Sequence, residues 1–325
     1  MARASLAACA VLAAFATVAC GTDATNKTGT TSRSVAGSAG ADKATAGADK
    51  ATGKRVADPR PSYPRLLRSA TNPRPTGFVP AVTWRRQTAV WIARSGSRIA
   101  LLSFNQRLIE LRLHAGTEDP GSSGWRLGPE VAGAERQRLV AAFNGGFKLN
   151  IGAGGFFSQG RDAVPLQHGL GSIVTYTDGY TDIGAWRQDV PGARSQVASV
   201  RQNLTLLISG GRSASTLNCL TCWGATLGGV SDPARSALGI TADGHLVWAG
   251  GENLTTMQLA DALLAAHVVR AVELDINPEW VAGYLYGHRG GRGPLAPVPI
   301  VPSQQGLPGQ FLSPWTRDFF ALAVR

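Results

Sequence analysis

Short, mostly apolar segments recur along the chain, and in some of them hydrophobic and polar residues alternate, which is typical of β-strands. The segment Ala242-Asp243-Gly244 joins two of them as a hairpin turn, since glycine tolerates the positive φ that such turns need. The predicted strands are Ala89–Ala93, Ile99–Ser103, Leu108–Leu113, Ser172–Tyr176, Leu204–Ile208, Ala237–Thr241, His245–Trp248, Val268–Asn277 and Phe319–Val324.

One segment has the period of a helix. From Thr255 to about His267, Leu259, Leu263 and Ala266 recur on one face, and Thr255 with Gln258 has the spacing of a capping box. The forty glycines indicate many tight turns. We therefore predict an α+β fold in which residues 61–325 form a single sheet-rich domain of mixed short strands with few helices.

The N-terminus has the features of an export signal. Arg3 precedes the apolar run Leu6–Val18, which is too short to span a bilayer, and small residues lead to Cys20. This arrangement resembles a bacterial lipoprotein signal over residues 1–20, so we expect Cys20 to be acylated and the protein to be anchored to the outer face of the cell membrane. The alternative is an ordinary secretory signal and a secreted protein.

Residues 21–60 lack apolar periodicity and are rich in Ala, Gly, Thr and Lys, which is typical of a flexible linker. Between Gly21 and Arg68 there are nine Lys or Arg and four Asp, which is about half of the net charge of +11. We expect this basic tether to contact an anionic envelope polymer or lipid head groups. The export signal and the lack of a nucleic-acid-binding motif argue against nucleic acid.

The four cysteines include two in the leader, Cys9 and Cys20. The other two form Cys219-Leu220-Thr221-Cys222, a spacing found in redox centres, in zinc sites and in small disulfide loops. There is no second pair of this kind and no nearby histidine pair, which argues against zinc. An exported protein meets an oxidising environment, so we predict a structural disulfide between Cys219 and Cys222.

The segment Val268–Pro278 contains the strongest candidate chemistry. Glu273, Asp275 and Asn277 alternate with apolar residues and are expected to share one face of a strand that ends before Pro278. That face lies either in a cleft or, if this is an edge strand, in water. Two acids ~6–7 Å apart by strand rise would give one of them a raised pKa.

Further candidates lie in three other places. In Asn144-Gly145-Gly146-Phe147-Lys148 the glycines allow close backbone approach and an anion nest. Arg201-Gln202-Asn203 and Arg235 lie where apolar strands begin, and an arginine there can bind phosphate bidentately. Of the five histidines, only His168 is a candidate for binding.

Taken in order, Asn144-Gly145-Gly146-Phe147, the strand Arg235–Gly239, its hairpin and the Leu274-Asp275 strand make residues 85–325 resemble the phosphodiester glycosidase family. The usual Leu-Asp-Gly-Gly-Gly-Ser of that family is replaced by Leu274-Asp275-Ile276-Asn277-Pro278-Glu279. The resemblance implies an exported hydrolase that attacks the anomeric carbon of a sugar phosphodiester in an envelope or exported glycan.

The resemblance, together with the residue types, gives the following roles. Asp275 or Glu273 stabilises positive charge on the sugar or activates water, and Arg235 stabilises the departing phosphate, so these three are the predicted catalytic residues. No cofactor is expected. The predicted substrate-binding residues are Asn144, Gly145, Gly146, Lys148, His168, Arg201, Asn203 and Asn277.

Two alternatives remain open. The altered motif after Asp275 favours a non-catalytic envelope module that only binds sugar-phosphate polymers. The second alternative is a metal-dependent phosphodiesterase, in which Glu273, Asp275 and Asn277 provide oxygen ligands for Ca²⁺ or Mg²⁺.

Overall fold

The structure is a computed structural model that describes residues 63–71, 77–121, 124–194, 196–219, 221–224, 230 and 232–325. The predicted signal peptide, the acylation at Cys20 and the linker at 21–60 lie outside the described residues. Within the described ranges, none of the helices has both the length and the apolar character needed to cross a membrane.

The described chain is built from short strands. In chain order they are β1 (Arg65–Leu66), β2 (Val79–Trp84), β3 (Gln87–Ser95), β4 (Ile99–Phe104), β5 (Ile109–His114), β6 (Leu139–Asn144), β7 (Phe156–Ser158), β8 (Arg161–Val164), β9 (Gly171–Tyr176), β10 (Thr181–Ala185), β11 (Val197–Gln202), β12 (Leu206–Ser209), β13 (Arg212–Ser213), β14 (Arg235–Thr241), β15 (Leu246–Gly251), β16 (Val268–Ile276), β17 (Gly283–Arg289), β18 (Leu295–Pro299) and β19 (Phe319–Val324). The α-helices are α1 (Gly133–Arg138) and α2 (Thr256–Ala265), and short 3₁₀ segments occur at Arg68–Ala70, Leu149–Ile151 and Gln310–Leu312.

The strands form two sheets. The larger has the order β13-β12-β16-β14-β15-β4-β3-β2-β1-β17-β6-β19-β5, with β18 added beside β17. The smaller has the order β10-β9-β11-β7-β8. Apart from the parallel β1–β17 pair, the pairs of named strands are antiparallel.

The predicted α+β fold class is wrong, because the described residues form a mostly-β protein. Their two α-helices have 6 and 10 residues, beside nineteen strands, and α1 has no buried residue. The predicted helix after Thr255 is confirmed, with Thr255 and Gln258 in a complete capping box. Its Leu259 and Leu263 belong to a cluster with β14 and β15, so α2 covers one face of this sheet and forms no layer of its own.

The larger sheet curls so that strands distant in its order pack face to face. Phe143 of β6 lies within 6.1 Å, ring centroid to centroid, of aromatic side chains on three other strands, which are Phe104, Trp248 and Phe320. All four side chains are buried in the largest hydrophobic cluster. Since β4 and β6 are separated by four other strands in the sheet order, only curling brings them into contact.

The curling also brings the ends of β14 and β16 against the end of β6. The Asp275 N–H donates to the Gly145 carbonyl at 3.1 Å, and Asn144 Nδ2 donates to Ser236 Oγ at 2.9 Å. Because β16 lies between β12 and β14, it is an interior strand, and the edge-strand interpretation of its polar residues is wrong. We call this contact between the ends of β14, β16 and β6 the seam. Glu273 and Asp275 are both buried there.

Candidate active site

Asp275 lies at the end of β16 and is held by two hydrogen bonds. Its Oδ1 accepts the backbone N–H of Ile276 at 2.8 Å, and its Oδ2 accepts from Arg317 Nη2 at 2.9 Å. Burial raises the pKa of Asp275 to about 7, although the positive charge of Arg317 opposes this shift. Asp275 can therefore gain or lose a proton near neutral pH.

Arg317 connects Asp275 to a second acid. Its Nε donates to Asp119 Oδ2 at 3.1 Å, and its Nη2 also donates to the Gly146 carbonyl at 2.9 Å. Burial raises the pKa of Asp119, with a further contribution from the negative charge of Asp318. Asp119, Gly146 and Asp275 thus hold the Arg317 guanidinium in one orientation, and no substrate is needed to orient it.

The outer side of this cluster is aromatic and basic. The Arg317 guanidinium carbon lies 4.9 Å from the ring centroid of Trp280, and the Nζ of the exposed Lys148 lies 5.9 Å from the same centroid. Both distances are those of cation–π contacts. The predicted binding residue Lys148 therefore contacts the same partly exposed indole ring as Arg317.

Arg235 and Glu273 form a separate buried pair, contrary to the expectation that Arg235 faces Asp275. Arg235 Nη1 donates to Glu273 Oε1 at 2.8 Å and to the Trp223 carbonyl at 3.1 Å, and its Nε donates to the Leu254 carbonyl at 2.9 Å. Burial raises the pKa of Glu273 to about 7, opposed by Arg235. Glu273 is 0% exposed and Asp275 is 4% exposed, so both acids are buried, and only Asp275 retains a small exposed area.

A β-bulge explains why the two acids have different partners. Ala237 of β14 pairs with Glu273, but Arg235 pairs with Ile276, so β16 has one extra residue between these pairs. Such a bulge re-aims the side chains that follow it. The side chains of Glu273 and Asp275 therefore pair with different arginines, although the charge of Asp275 still acts on Glu273.

Arg201 does not face the site as a free phosphate ligand. Its Nε and Nη2 donate to the two oxygens of Asp318 at 2.8 and 3.1 Å, and it also donates to the carbonyls of Phe147 and Gln202. Both side chains of the ion pair are almost completely buried. Arg201 therefore has a structural role that replaces the predicted substrate contact.

The glycines Gly145 and Gly146 are required by this ion pair. A Cβ on Gly145 would lie 2.1 Å from Asp318 Oδ2, and one on Gly146 would lie 3.0 Å from Arg201 Cζ. The Gly145 N–H donates to the Asp318 carbonyl, and the Phe147 N–H donates to Asn203 Oδ1. Since these donors are occupied, the predicted anion nest is wrong.

Asn144 and Asn203 also hold the seam together in place of the predicted substrate contacts. Asn144 is 4% exposed and exchanges hydrogen bonds with Ser236, while its Oδ1 accepts the Ala282 N–H at 3.3 Å. Asn203 is fully buried, and its Nδ2 donates to the carbonyls of Glu273 and Leu274. Both amides fix the backbone that presents Asp275.

Two predicted residues, His168 and Asn277, have no side-chain hydrogen bond to the cluster among the described residues. His168 is exposed in the turn after β8, and within the described ranges it has no hydrogen bond or ion pair. Asn277 has a positive φ of 90° and ends β16 through backbone hydrogen bonds with Ala234 and Trp280. The left-handed conformation, which asparagine tolerates, turns the chain away from the strand.

The residues do not fit the alternative of a metal site. Glu273 and Asp275 each have an arginine as ion-pair partner, and Asn277 uses its backbone at the strand end. Among the described residues, no group of three His, Cys, Asp or Glu could hold a metal ion. Oxygen ligands already neutralised by arginine are a poor donor set for Ca²⁺ or Mg²⁺.

The Cys219–Cys222 disulfide is present in the structure. It closes a short loop that leads directly to Trp223, whose carbonyl accepts from Arg235. Trp223 is buried, and its indole N–H donates to the Thr216 carbonyl at 2.9 Å. The disulfide is therefore adjacent in sequence to Trp223, which contacts Arg235 of the buried Arg235–Glu273 pair.

Several residues of the site were not among the sequence candidates, namely Asp119, Trp280, Arg317 and Asp318. Arg317 and Asp318 stand directly before the predicted strand Phe319–Val324, just as Arg235 stands at the start of its strand. The criterion that selected Arg235 therefore applies to Arg317 as well. Asp119 has no comparable sequence signal, because its contact with Arg317 joins residues 198 positions apart.

Comparisons with known proteins were made for the whole chain. No protein-family model and no curated protein matches it. Among solved structures, it is similar to the zebrafish N-acetylglucosamine-1-phosphodiester alpha-N-acetylglucosaminidase catalytic domain auto-inhibited by its pro-peptide, with 14% identity, a TM-score of 0.42, and coverage of 82% of this chain and 96% of the other. It is also similar to a hypothetical protein from Synechocystis, with 13% identity, a TM-score of 0.39, and coverage of 78% and 64%. These likenesses to solved structures are distant.

Proposed function

We propose that this protein is a hydrolase that cleaves a sugar phosphodiester at the anomeric carbon of the sugar. The observation that carries the proposal is the Asp275–Arg317 pair beneath Trp280, with Lys148 on the same ring. An acid that titrates near neutral pH, fixed positive charge and an aromatic surface occur together there. These are the groups that a sugar phosphate needs for recognition and cleavage.

In the proposed reaction, Asp275 acts as the general base. A water oxygen forms a bond to the anomeric carbon, the proton of that water passes to the Asp275 carboxylate, and the bond from the anomeric carbon to the phosphate oxygen breaks. The bonding electrons leave with the phosphomonoester, whose charge is stabilised by Arg317 and Lys148. A phosphate leaves as an anion, so the reaction needs no separate acid to protonate it.

The surroundings of Asp275 support this role. Burial keeps its pKa near 7, where a general base is both deprotonated in part and basic enough to accept a proton. Asp119 and the Gly146 carbonyl hold the Arg317 guanidinium, so this cation is oriented before substrate binds. Glu273 is fully buried in its ion pair with Arg235. We therefore assign it a structural role in strand β16 and no contact with substrate.

The test compares Asp275→Asn with the native protein on a UDP-sugar and on a nitrophenyl sugar phosphodiester. We expect sugar release to fall at least ~100-fold, the scale of general-base catalysis. Asp261→Asn, at an exposed position on α2, is the matched control and should keep full activity. Circular dichroism checks that both variants are folded.

Turnover in water labelled with ¹⁸O separates the proposal from its rivals. Cleavage at the anomeric carbon places the label in the sugar, whereas cleavage at phosphorus places it in the phosphate. Label in the phosphate, or full turnover by Asp275→Asn, would refute the proposal. Binding of a sugar-phosphate polymer without product in the native protein would favour the non-catalytic module.

A further inference from the structure

The disulfide between Cys219 and Cys222 lies at the surface of the protein. Cys222 is exposed, whereas Cys219 is partly buried. The rate of thiol–disulfide exchange depends on how easily a thiolate reaches one of the two sulfurs. Of the two residues, Cys222 therefore offers the more accessible position for attack by an external thiolate.

The other sulfur has a hydrogen bond that suits a leaving group. The Cys222 N–H donates to Cys219 Sγ at 3.2 Å. Such a hydrogen bond stabilises a thiolate more than a neutral sulfur, because it places a positive end of a dipole at the negative charge. Attack on Cys222 releases Cys219 as the thiolate, so the local geometry favours opening of the disulfide in this direction.

Trp223, the residue after the loop, connects the disulfide to a buried arginine. It is 1% exposed, and its carbonyl accepts from Arg235 Nη1 at 3.1 Å. Its indole N–H donates to the Thr216 carbonyl, which also accepts the Cys219 N–H; both distances are 2.9 Å. One carbonyl therefore holds the start of the loop and the tryptophan that follows it.

Gly224 brings the same segment against the interior of the protein. A Cβ on Gly224 would lie 2.6 Å from Phe147 Cζ and 2.8 Å from Ile276 Cδ1, so the glycine backbone itself packs on these two side chains. Phe147 and Ile276 are buried and form one small hydrophobic cluster with Ala153. Gly224 thus covers this cluster directly.

The covered cluster carries parts of the candidate active site. The Ile276 N–H donates to Asp275 Oδ1 at 2.8 Å, so the position of this backbone sets the orientation of the carboxylate. Phe147 directly precedes Lys148 in the chain. A shift of about 1 Å in a positioned group can lower a rate ~10²-fold. The packing of Gly224 is therefore linked to the carboxylate and to one of the cations proposed to act on substrate.

We infer that the Cys219–Cys222 disulfide is a redox-sensitive site, at which exchange with an external dithiol loosens the segment after the loop and lowers the activity at Asp275. Without the cross-link the loop has more conformations, so Trp223 and Gly224 are held less firmly. The effect on activity rests on the proposed function, whereas the coupling between the disulfide and the Asp275 carboxylate does not.

The exchange takes place in two steps. A thiolate of the dithiol attacks Cys222 Sγ, a bond forms between these two sulfurs, and the bonding electrons of the old disulfide leave with Cys219 Sγ. The second thiolate of the dithiol then attacks its own sulfur in the mixed disulfide and releases Cys222 Sγ. The dithiol is oxidised to a disulfide, and the two reduced cysteines take up the protons that it gives up.

The test uses the full chain with dithiothreitol as the dithiol. Thiol titration should show that the disulfide is reduced while circular dichroism stays native. Hydrogen exchange of the Trp223 indole and the Ile276 amide should then quicken, and sugar release should fall ~10-fold or more. Oxidised glutathione should restore both. The amide of Val174, on β9 in the smaller sheet, should keep its exchange rate.

Two double variants assign the effect to this disulfide. Cys219→Ser/Cys222→Ser should have the exchange rates and activity of the reduced protein and should not respond to dithiothreitol. Cys9→Ser/Cys20→Ser removes the other two cysteines of the chain and is the matched control, so it should respond as the native protein does.

The exchange data separate this inference from the proposed function. Faster exchange at Ile276 on reduction, in a protein that releases no sugar in either state, would retain the coupling and reject only the proposed reaction. A disulfide that dithiothreitol leaves intact in the folded protein, unchanged exchange at Ile276, or full activity after reduction would overturn the inference. Equal acceleration at Val174 would also overturn it, because the effect would then be a general loss of stability.

Discussion

At the scale of single residues, the candidate site depends on the difference between two arginines with buried acidic partners. Arg235 is enclosed with the fully buried Glu273, whereas Arg317 pairs with the buried Asp275 and also lies against the ring of Trp280. The same residue type therefore supports the fold in one place and the proposed chemistry in the other. What separates the two is that Arg317 also contacts the partly exposed ring of Trp280.

The first prediction concerns Arg317→Gln. The positive charge of Arg317 lowers the pKa of Asp275, so removing it should raise that pKa above about 7. Because the active form of a general base is the carboxylate, the acid limb of kcat/KM should move to higher pH. At the optimum we expect a loss of ~10²-fold, as for removal of one transition-state donor.

The measurement is a pH profile of kcat/KM for the native protein and three variants. Arg317→Lys restores the charge and should return the acid limb toward its native position, although it loses the Nε–H that donates to Asp119. Arg212→Gln, at an exposed position on β13, should leave the profile unchanged. An acid limb in Arg317→Gln at the native pH would contradict the proposed role of Asp275.

The second prediction concerns Gly145→Ala. Its Cβ would lie 2.1 Å from Asp318 Oδ2, so the buried Arg201–Asp318 ion pair must move. Breaking a buried pair costs ~3–5 kcal/mol when one charge loses its partner, and partial displacement should cost ~2 kcal/mol or more. Thermal unfolding should show a lower Tm. Gly128→Ala, whose Cβ would have no neighbour closer than 3.7 Å, is the control, and equal Tm values for the two variants would refute the packing argument.

At the scale of secondary-structure elements, strand β16 determines the environment of both acids. It is an interior strand, and its bulge directs Glu273 and Asp275 to different arginines. Glu273 Oε2 has no partner among the described residues, so its ionised form is only half satisfied. Burial therefore favours the protonated form of Glu273 in the folded protein, although the charge of Arg235 opposes it.

The third prediction follows from this strand. The pKa of Glu273 is about 7 in the folded protein and 4.5 in the unfolded chain, so the folded state binds more protons between these values. Its contribution to the free energy of unfolding should fall as pH rises from 4.5 to 7. At ~1.4 kcal/mol per unit, the total change is as much as ~3 kcal/mol.

Glu273→Gln removes this titration and isolates the effect. Urea unfolding at pH 5 and pH 8 should show that the native protein loses more stability than the variant as pH rises. Glu118→Gln, at an exposed position, should follow the native protein. An identical pH dependence for the native protein and Glu273→Gln would show that Glu273 is not protonated in the folded state.

The elements themselves were predictable where local patterns decide them. The apolar runs of β4, β9 and β19, the alternation in β5 and the capping box of α2 depend on neighbours in the sequence, and these elements occur close to their predicted bounds. We expected a strand from Leu204, but Leu204 has a φ of 52°, which is not a strand conformation, and β12 begins at Leu206. The bulge in β16 was not predictable, since it depends on the register against β14.

At the scale of the whole molecule, the sequence does not specify which strands meet. Strand β19 pairs with β5 and β6, and the curled sheet places β6 beside the end of β16, so the site joins residues from 119 to 318. Such contacts are non-local and leave no periodic signal. The predicted acids were therefore identified, whereas their cationic partners were assigned wrongly or missed.

The fourth prediction tests whether the curled core supports the site. Phe143 packs against aromatic rings from three other strands and directly precedes Asn144, which bonds to Ser236 beside Asp275. Phe143→Ala should lower the free energy of unfolding by ~3–5 kcal/mol, the usual effect of such a cavity. Urea unfolding measures this loss, and Ile151→Ala, at a side chain that is 62% exposed, should change it by less than ~0.5 kcal/mol.

Because one core connects both halves of the larger sheet, the loss should reach the site as well as the global stability. Hydrogen exchange of the Asp275 amide, which donates to the Gly145 carbonyl, should quicken in Phe143→Ala under native conditions. If the amide exchanges through global unfolding, its protection should fall by the same free energy that urea unfolding measures. Unchanged protection despite a large loss of global stability would mean that the seam is held locally by its own hydrogen bonds, independently of the curled core.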